Sequence, residues 1–243
     1  MAQVKSKQRV ADHGEVFTAE REVKAMCDLV AHECLRIDSR FLEPACGDGN
    51  FLDEILTRKL TVVKEKYRRS SYDWERNSLL ALGSLYGVDI LADNCAACRK
   101  RLYDIWVKEY KKVCRKDFNG DTCRAAAFIL ERNIVCGNAL TLCCVDENQQ
   151  DNGIPIVFSE WTFPQNNAFI HRNDYTFAEL LDEKPKKEKS TQASLFDEEP
   201  ASDGEGHFVQ RYVCHYRKLG ATEDGQTSDS PAYTQSSLFE KEI

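Results

Sequence analysis

The run Phe41-Leu-Glu-Pro-Ala-Cys-Gly-Asp-Gly-Asn-Phe-Leu52 gathers the residue types that hold a small ligand. Apolar Phe41 and Leu42 end a short strand, and Glu43-Pro44 stop it. Gly47 and Gly49 make a turn tight enough for a ligand to reach bare backbone. Asn50 is placed to cap the helix that follows, whose first amides face the same ligand. Strand, glycine turn and helix together describe the cofactor loop of a Rossmann-like sheet. No Gly-Lys-Ser/Thr follows, so this is not a phosphate loop, and Leu52 stands where a dinucleotide fingerprint has its third glycine. Glu43 and Asp48 flank the turn; two carboxylates there repel a pyrophosphate and suit a cationic ligand. A further acid, Asp89, closes the apolar run Leu85-Tyr-Gly-Val-Asp-Ile90. An acid at the end of a second strand can accept hydrogen bonds from both ribose hydroxyls of an adenosine cofactor. Its plainer role is to cap the next helix.

Those residues need elements to carry them. Thr18 is placed to cap a helix with Glu20 and Glu22 in its first turn, and Val23, Met26, Cys27, Val30 and Cys34 then recur at helical spacing. After the glycine loop, Leu52, Ile55, Leu56, Leu60 and Val63 line one face of a helix over residues 52–66. Further helices are expected over 74–85, 93–113 and 125–132, with strands over 85–90 and 133–140. A strand is expected over 154–163, a short helix within 171–181, and a strand over 208–216.

The loop Phe41–Leu52 resembles the S-adenosylmethionine loop of bacterial DNA adenine-N6 methyltransferases of the restriction-modification kind, and three further stretches agree with that family in order and spacing over residues 14–140. The segment with Phe17 and Thr18 resembles the one that closes over the methionine end of the cofactor, with Ala19 where the family usually has Pro. The resemblance implies an α/β fold, a mostly parallel sheet with helices on both faces, and S-adenosylmethionine as cofactor. It implies a binding set of Phe17, Thr18, Glu43, Pro44, Ala45, Cys46, Gly47, Asp48, Gly49, Asp89, Ile90, Asn138 and Ala139. Asp89 would hold the ribose and Ile90 pack on the adenine. Asn138 stands where the family has an Asp that bonds the adenine amino group, and its side-chain oxygen can still accept that bond.

The resemblance stops before the chemistry. Adenine-N6 methyltransferases carry Asn/Asp-Pro-Pro-Tyr/Phe, which accepts hydrogen bonds from the target amine and stacks on the flipped base. The chain has 6 prolines, none adjacent to another, so the motif is absent and no catalytic residue is assigned. In longer relatives a segment similar to Phe158-Ser-Glu-Trp161 precedes the motif. The implied protein is a cofactor-binding component that meets DNA through a catalytic or specificity subunit. The alternative is a catalytically inactive scaffold of the same fold.

Composition bounds the remainder. The 243 residues suffice for one ordinary domain plus extra segments, with residues 14–182 expected as the folded unit, 1–13 as a flexible start, 183–206 as a disordered linker and 207–243 as a tail. A net charge of −7 argues against tight non-specific DNA binding by this chain alone. There is no apolar run of membrane-spanning length and no secretory signal. The odd count of 11 cysteines is therefore read as reduced thiols of a cytoplasmic protein. Cys95-Ala-Ala-Cys98 lacks a matching pair at zinc-finger spacing and is read as packing. Asp117-Phe-Asn-Gly-Asp121 is read as a turn. In the tail, Thr191-Gln-Ala-Ser-Leu-Phe-Asp197 and Thr234-Gln-Ser-Ser-Leu-Phe-Glu240 repeat one pattern. Both copies resemble the peptide by which replication and repair proteins enter the DNA sliding clamp. Gln192 and Gln235 would supply the polar contact, and Leu195, Phe196, Leu238 and Phe239 the apolar anchors.

Overall fold

Helical periodicity in the first half of the chain becomes a packed helical layer in the computed structural model, which describes residues 9–11, 15–16, 18–164, 167–181 and 210–221. Short helices α1 (Glu20–Leu29) and α2 (Ala31–Cys34) precede strand β1 (Phe41–Glu43). Then come α3 (Asn50–Tyr67), α4 (Ser71–Gly83), β2 (Leu85–Asp89), α5 (Ala92–Cys114), α6 (Gly120–Asn133) and β3 (Ile134–Asn138). Ser70 caps α4 by accepting the Asp73 amide at 3.2 Å, and Asn119 caps α6 by accepting the Asp121 amide at 2.7 Å. The stretch 117–121 is therefore a turn into a helix.

β1, β2 and β3 pair in parallel, in the register Phe41↔Leu85 and Gly87↔Ile134. β4 (Cys143–Val145) and β5 (Asp151–Pro155) then extend the sheet antiparallel, giving the order β1-β2-β3-β4-β5. The sheet is thus mixed rather than mostly parallel. Helices do not cover both of its faces either. α3 packs on α4 and α5, and α6 packs on the same two, so the four long helices share one side. Alternation along the strands shows this: Leu85 and Ile134 join the helical core, while Tyr86 and Val88 turn to the opposite face. That face is covered by Ile156, Phe158 and Phe177. Within the helical core Trp74 stacks on Tyr110 at 5.3 Å, and Trp106 leans on both.

A second sheet explains what lies on the far face. β6 (Val157–Thr162), β7 (Phe169–Thr176) and β8 (Gln210–His215) form an antiparallel sheet, with α7 (Phe177–Leu181) after β7. The helix expected within 171–181 is confined to its last five residues, because residues 171–176 are claimed by pairing with β6 and β8. β8 lies beyond residue 182, so the folded part of the chain runs on to residue 221. Buried Glu75 on α4 secures that late segment, accepting hydrogen bonds from Tyr110, from the Tyr216 hydroxyl at 2.5 Å and from Arg217 at 2.7 Å. Among the described residues no helix is long and apolar enough to cross a membrane.

Candidate cofactor site

The carboxyl ends of β1 and β2 meet at the glycine loop. Pro44 and Ala45 leave β1, and Cys46 donates its amide to the Val88 carbonyl at 2.8 Å, which pins the loop to β2. Gly47 and Gly49 then take φ of 52° and 94°, values that side chains resist. At Gly49 a Cβ would lie 2.8 Å from the Cys98 sulfur, so backbone conformation and close packing both demand glycine. Gly87 on β2 allows the same intimacy from the other side, since its Cβ would meet Cys46 at 3.1 Å. Sequence reasoning did not single out Gly87; its place inside a strand was the available signal.

Two capping expectations are corrected. Asn50 is not the cap of α3: Gly49 holds that position in the left-handed region, and Asn50 is the first helical residue. The Asn50 side chain instead donates to the Thr18 carbonyl at 3.3 Å, which draws the N-terminal segment to the loop. Thr18 is not the cap of α1 either, since Ala19 takes that position without a side-chain bond. Phe17 lies outside the described residues.

Asp89 ties the parts together. Its Oδ2 accepts the Gly47 amide at 2.9 Å, and its Oδ1 accepts the Leu91 amide at 2.9 Å and the Asn94 side chain at 3.1 Å. A carboxylate oxygen offers about two acceptor positions, so Oδ1 is filled by the protein and Oδ2 retains one. Asp89 therefore does the helix-entry work of the plainer reading and still faces the loop.

The charges around the loop are uneven. Asp48 is neutralised by Arg101, which reaches it at 2.9 Å and also donates to Asn50. Glu43 is bonded by the Ala45 amide at 3.3 Å, and burial raises its pKa. Arg9 bonds Glu15 and Asp93, both at 2.6 Å, and Asn94 donates to Glu15 at 2.7 Å; these contacts hold the N-terminal segment over the start of α5. Arg9, Asn94 and Arg101 were invisible to sequence reasoning because each acts across a long separation.

Beside Asp89 opens a cleft of 310 Å³, walled by Ile90 and Cys136 and rimmed by Arg9, Asp93, Asp146 and Glu147. Asn138 ends β3, and its side-chain oxygen accepts the Leu140 amide at 3.0 Å in a local turn. Ala139 packs instead with the apolar cluster on the opposite face. Below the loop four thiols touch: Cys46 meets Cys95 and Cys98, and Cys95 meets Cys136. The bond with Cys95 lowers the Cys46 pKa, but the bond with Cys98 and burial outweigh it, and the thiol stays protonated. Cys136 is raised by its bond to Cys95 and then by burial. Among the described residues no group of three or more His, Cys, Asp or Glu side chains is arranged to hold a metal ion.

No protein-family model, curated protein or solved structure matches the chain. The functional reading rests on the geometry and on the loop's resemblance.

The residues fit an adenosine-bearing cation in three respects. The loop presents glycine backbone, Glu43 is an acid without a recorded cationic partner, and the apolar side of Ile90 adjoins the remaining acceptor position of Asp89. The clamp peptides with Gln192, Leu195, Phe196, Gln235, Leu238 and Phe239 lie outside the described residues.

Proposed function

We propose that this chain is the S-adenosylmethionine-binding component of a DNA adenine-N6 methyltransferase whose catalytic motif resides on another polypeptide. The observation that carries the reading is the bond from the Gly47 amide to Asp89, which joins a left-handed glycine loop at the end of β1 to an acid at the end of β2. Glu43 is suited to the cationic end of the cofactor, Asp89 Oδ2 to a ribose hydroxyl, and Ile90 to one face of the adenine. Asn138 is suited to the adenine amino group once its oxygen releases the Leu140 amide. When bound, the cofactor supplies a methyl group on a positively charged sulfur. The chain's own residues hold and orient it; none is placed to accept the adenine amine, since Asn/Asp-Pro-Pro-Tyr/Phe is absent. The test is transfer of labelled methyl to DNA adenine by the purified chain. No transfer is expected from the chain alone, and transfer without a partner would overturn the divided-site reading.

A second reading is favoured by the repeated Thr-Gln-x-Ser-Leu-Phe-acid pattern: a scaffold that docks on the DNA sliding clamp. The copies flank β8, with Phe196 and Gln235 each 14 residues from the nearest described residue of that segment, Gln210 and Ala221. Two anchors on similar tethers favour simultaneous engagement of a ring with repeated pockets. Binding of purified clamp should fall when Leu195, Phe196, Leu238 and Phe239 are all changed to Ala. Undiminished binding would remove this reading.

A further inference from the structure

The glycine loop leaves the outermost strand of its sheet. β1 pairs with β2 on one side, and among the described residues nothing pairs with it on the other. The Phe41 amide donates towards β2, to the Ser84 carbonyl at 2.9 Å, so alternation along the strand turns the amide and carbonyl of Leu42 outward. The Leu42 side chain is 41% exposed, although Tyr86, its partner across the pair, is 5% exposed. The apolar face shared by Tyr86 and Val88 thus runs out at β1. The segment leading into the strand exposes Met26, Leu29 and Leu35 as well. Soluble proteins usually blunt an open edge with lysine, proline or a bulge within the strand; Phe41–Glu43 has none of these.

Open α/β sheets hold their ligands beyond the carboxyl ends of strands, in a crevice between neighbouring strands whose connections diverge to opposite sides. Here the loop has β2 on one side only, so the crevice has one wall.

We infer that the outer edge of β1 receives a parallel strand from a second, basic polypeptide, which completes the sheet and supplies the other wall. The inference rests on the reading of the loop as an S-adenosylmethionine site acting on DNA. A strand satisfies an outward amide and carbonyl at the required spacing while covering Leu42. Charge selects a basic occupant. This chain carries −7, its Glu43 at the end of β1 has no recorded cationic partner, and a DNA substrate needs positive surface that the chain does not provide. A second copy would bring another −7 to the same edge.

The test places the photo-crosslinking residue p-benzoylphenylalanine at Leu42, with a control at exposed Lys112 on α5, in the full chain irradiated in a lysate of the cells that encode it. Cross-linked peptides are read by mass spectrometry, and the protein they identify is purified and its affinity measured. The expected result is one segment of a basic protein joined at position 42 and not at 112. Leu42→Pro and Leu42→Lys should then weaken binding of the purified pair by about tenfold or more, the scale set by losing an edge hydrogen bond and a buried leucine. Uptake of S-adenosylmethionine by both variants should match the wild type, which shows that the loop is intact. Cross-links only to this chain, only to an acidic protein, or to nothing would overturn the inference, as would unchanged affinity in the variants. Partner binding with no cofactor uptake by the wild type would instead overturn the cofactor reading and leave the strand addition standing.

Discussion

Gly49 and Asp89 carry most of the site, and they fail in different ways when changed. Gly49→Ala places a side chain in the left-handed region against Cys98, a strain of about 1–3 kcal/mol. It should lower the melting temperature and weaken cofactor uptake together. Asp89→Asn keeps an oxygen for the Gly47 amide but removes the charge, so it should leave the fold intact and weaken uptake by less than Asp89→Ala. Equal losses in both variants, read by calorimetry beside melting curves, would contradict the ribose role. Lys59 offers a separate check on packing. Buried at the start of β1 against the carbonyls of Ile37 and Ser39, its amine is pushed down by burial to about 7 from an unfolded value of 10.5. Between those values the unfolded chain binds the extra proton, so this group makes stability rise with pH, by up to about 1.4 kcal/mol per unit. The gain is complete above 10.5 and lost as pH falls through 7. Lys59→Met should flatten the pH dependence of unfolding across that window relative to wild type. Gly47, Gly49 and Asp89 were legible in the sequence because each is demanded by local backbone geometry. Arg101 and Arg9 were not, since their partners lie 53 and 84 residues away.

At the scale of elements, helices announced themselves and sheets did not. Residues 52–66 and 93–113 were readable as α3 and α5 because one apolar face repeats along each. Residues 171–176 carry polar and apolar residues that fit a helix or a strand equally, and only pairing with β6 and β8 settles them. The second sheet is fastened by polar groups that no periodicity reveals. Arg132 donates to Ser159 at 3.1 Å and to Asp174 at 2.8 Å, and Tyr86 donates to the Ser159 carbonyl at 3.2 Å. Glu75 makes the sharpest test. Glu75→Ala removes the acceptor of two buried tyrosines and Arg217, and breaking such a buried charged network costs about 3–5 kcal/mol. Amide exchange should then accelerate first in residues 210–221. Unchanged protection there would mean that pairing of β7 with β8 alone holds the segment.

Across the whole molecule, the chain looks like one half of a working site: a cofactor loop at an open sheet edge, no acceptor for the target amine, and an acidic surface unsuited to DNA. The sequence showed the missing motif and the charge directly. The open edge of β1 needed the fold, because strand order is not encoded in any local pattern. The claim on which everything else depends is cofactor binding, and isothermal calorimetry of the purified chain with S-adenosylmethionine tests it most directly. Saturable uptake at one site per chain, reduced by about tenfold or more in Asp89→Ala with the fold retained, is the predicted result. A wild-type chain that is folded and takes up no S-adenosylmethionine would contradict the account.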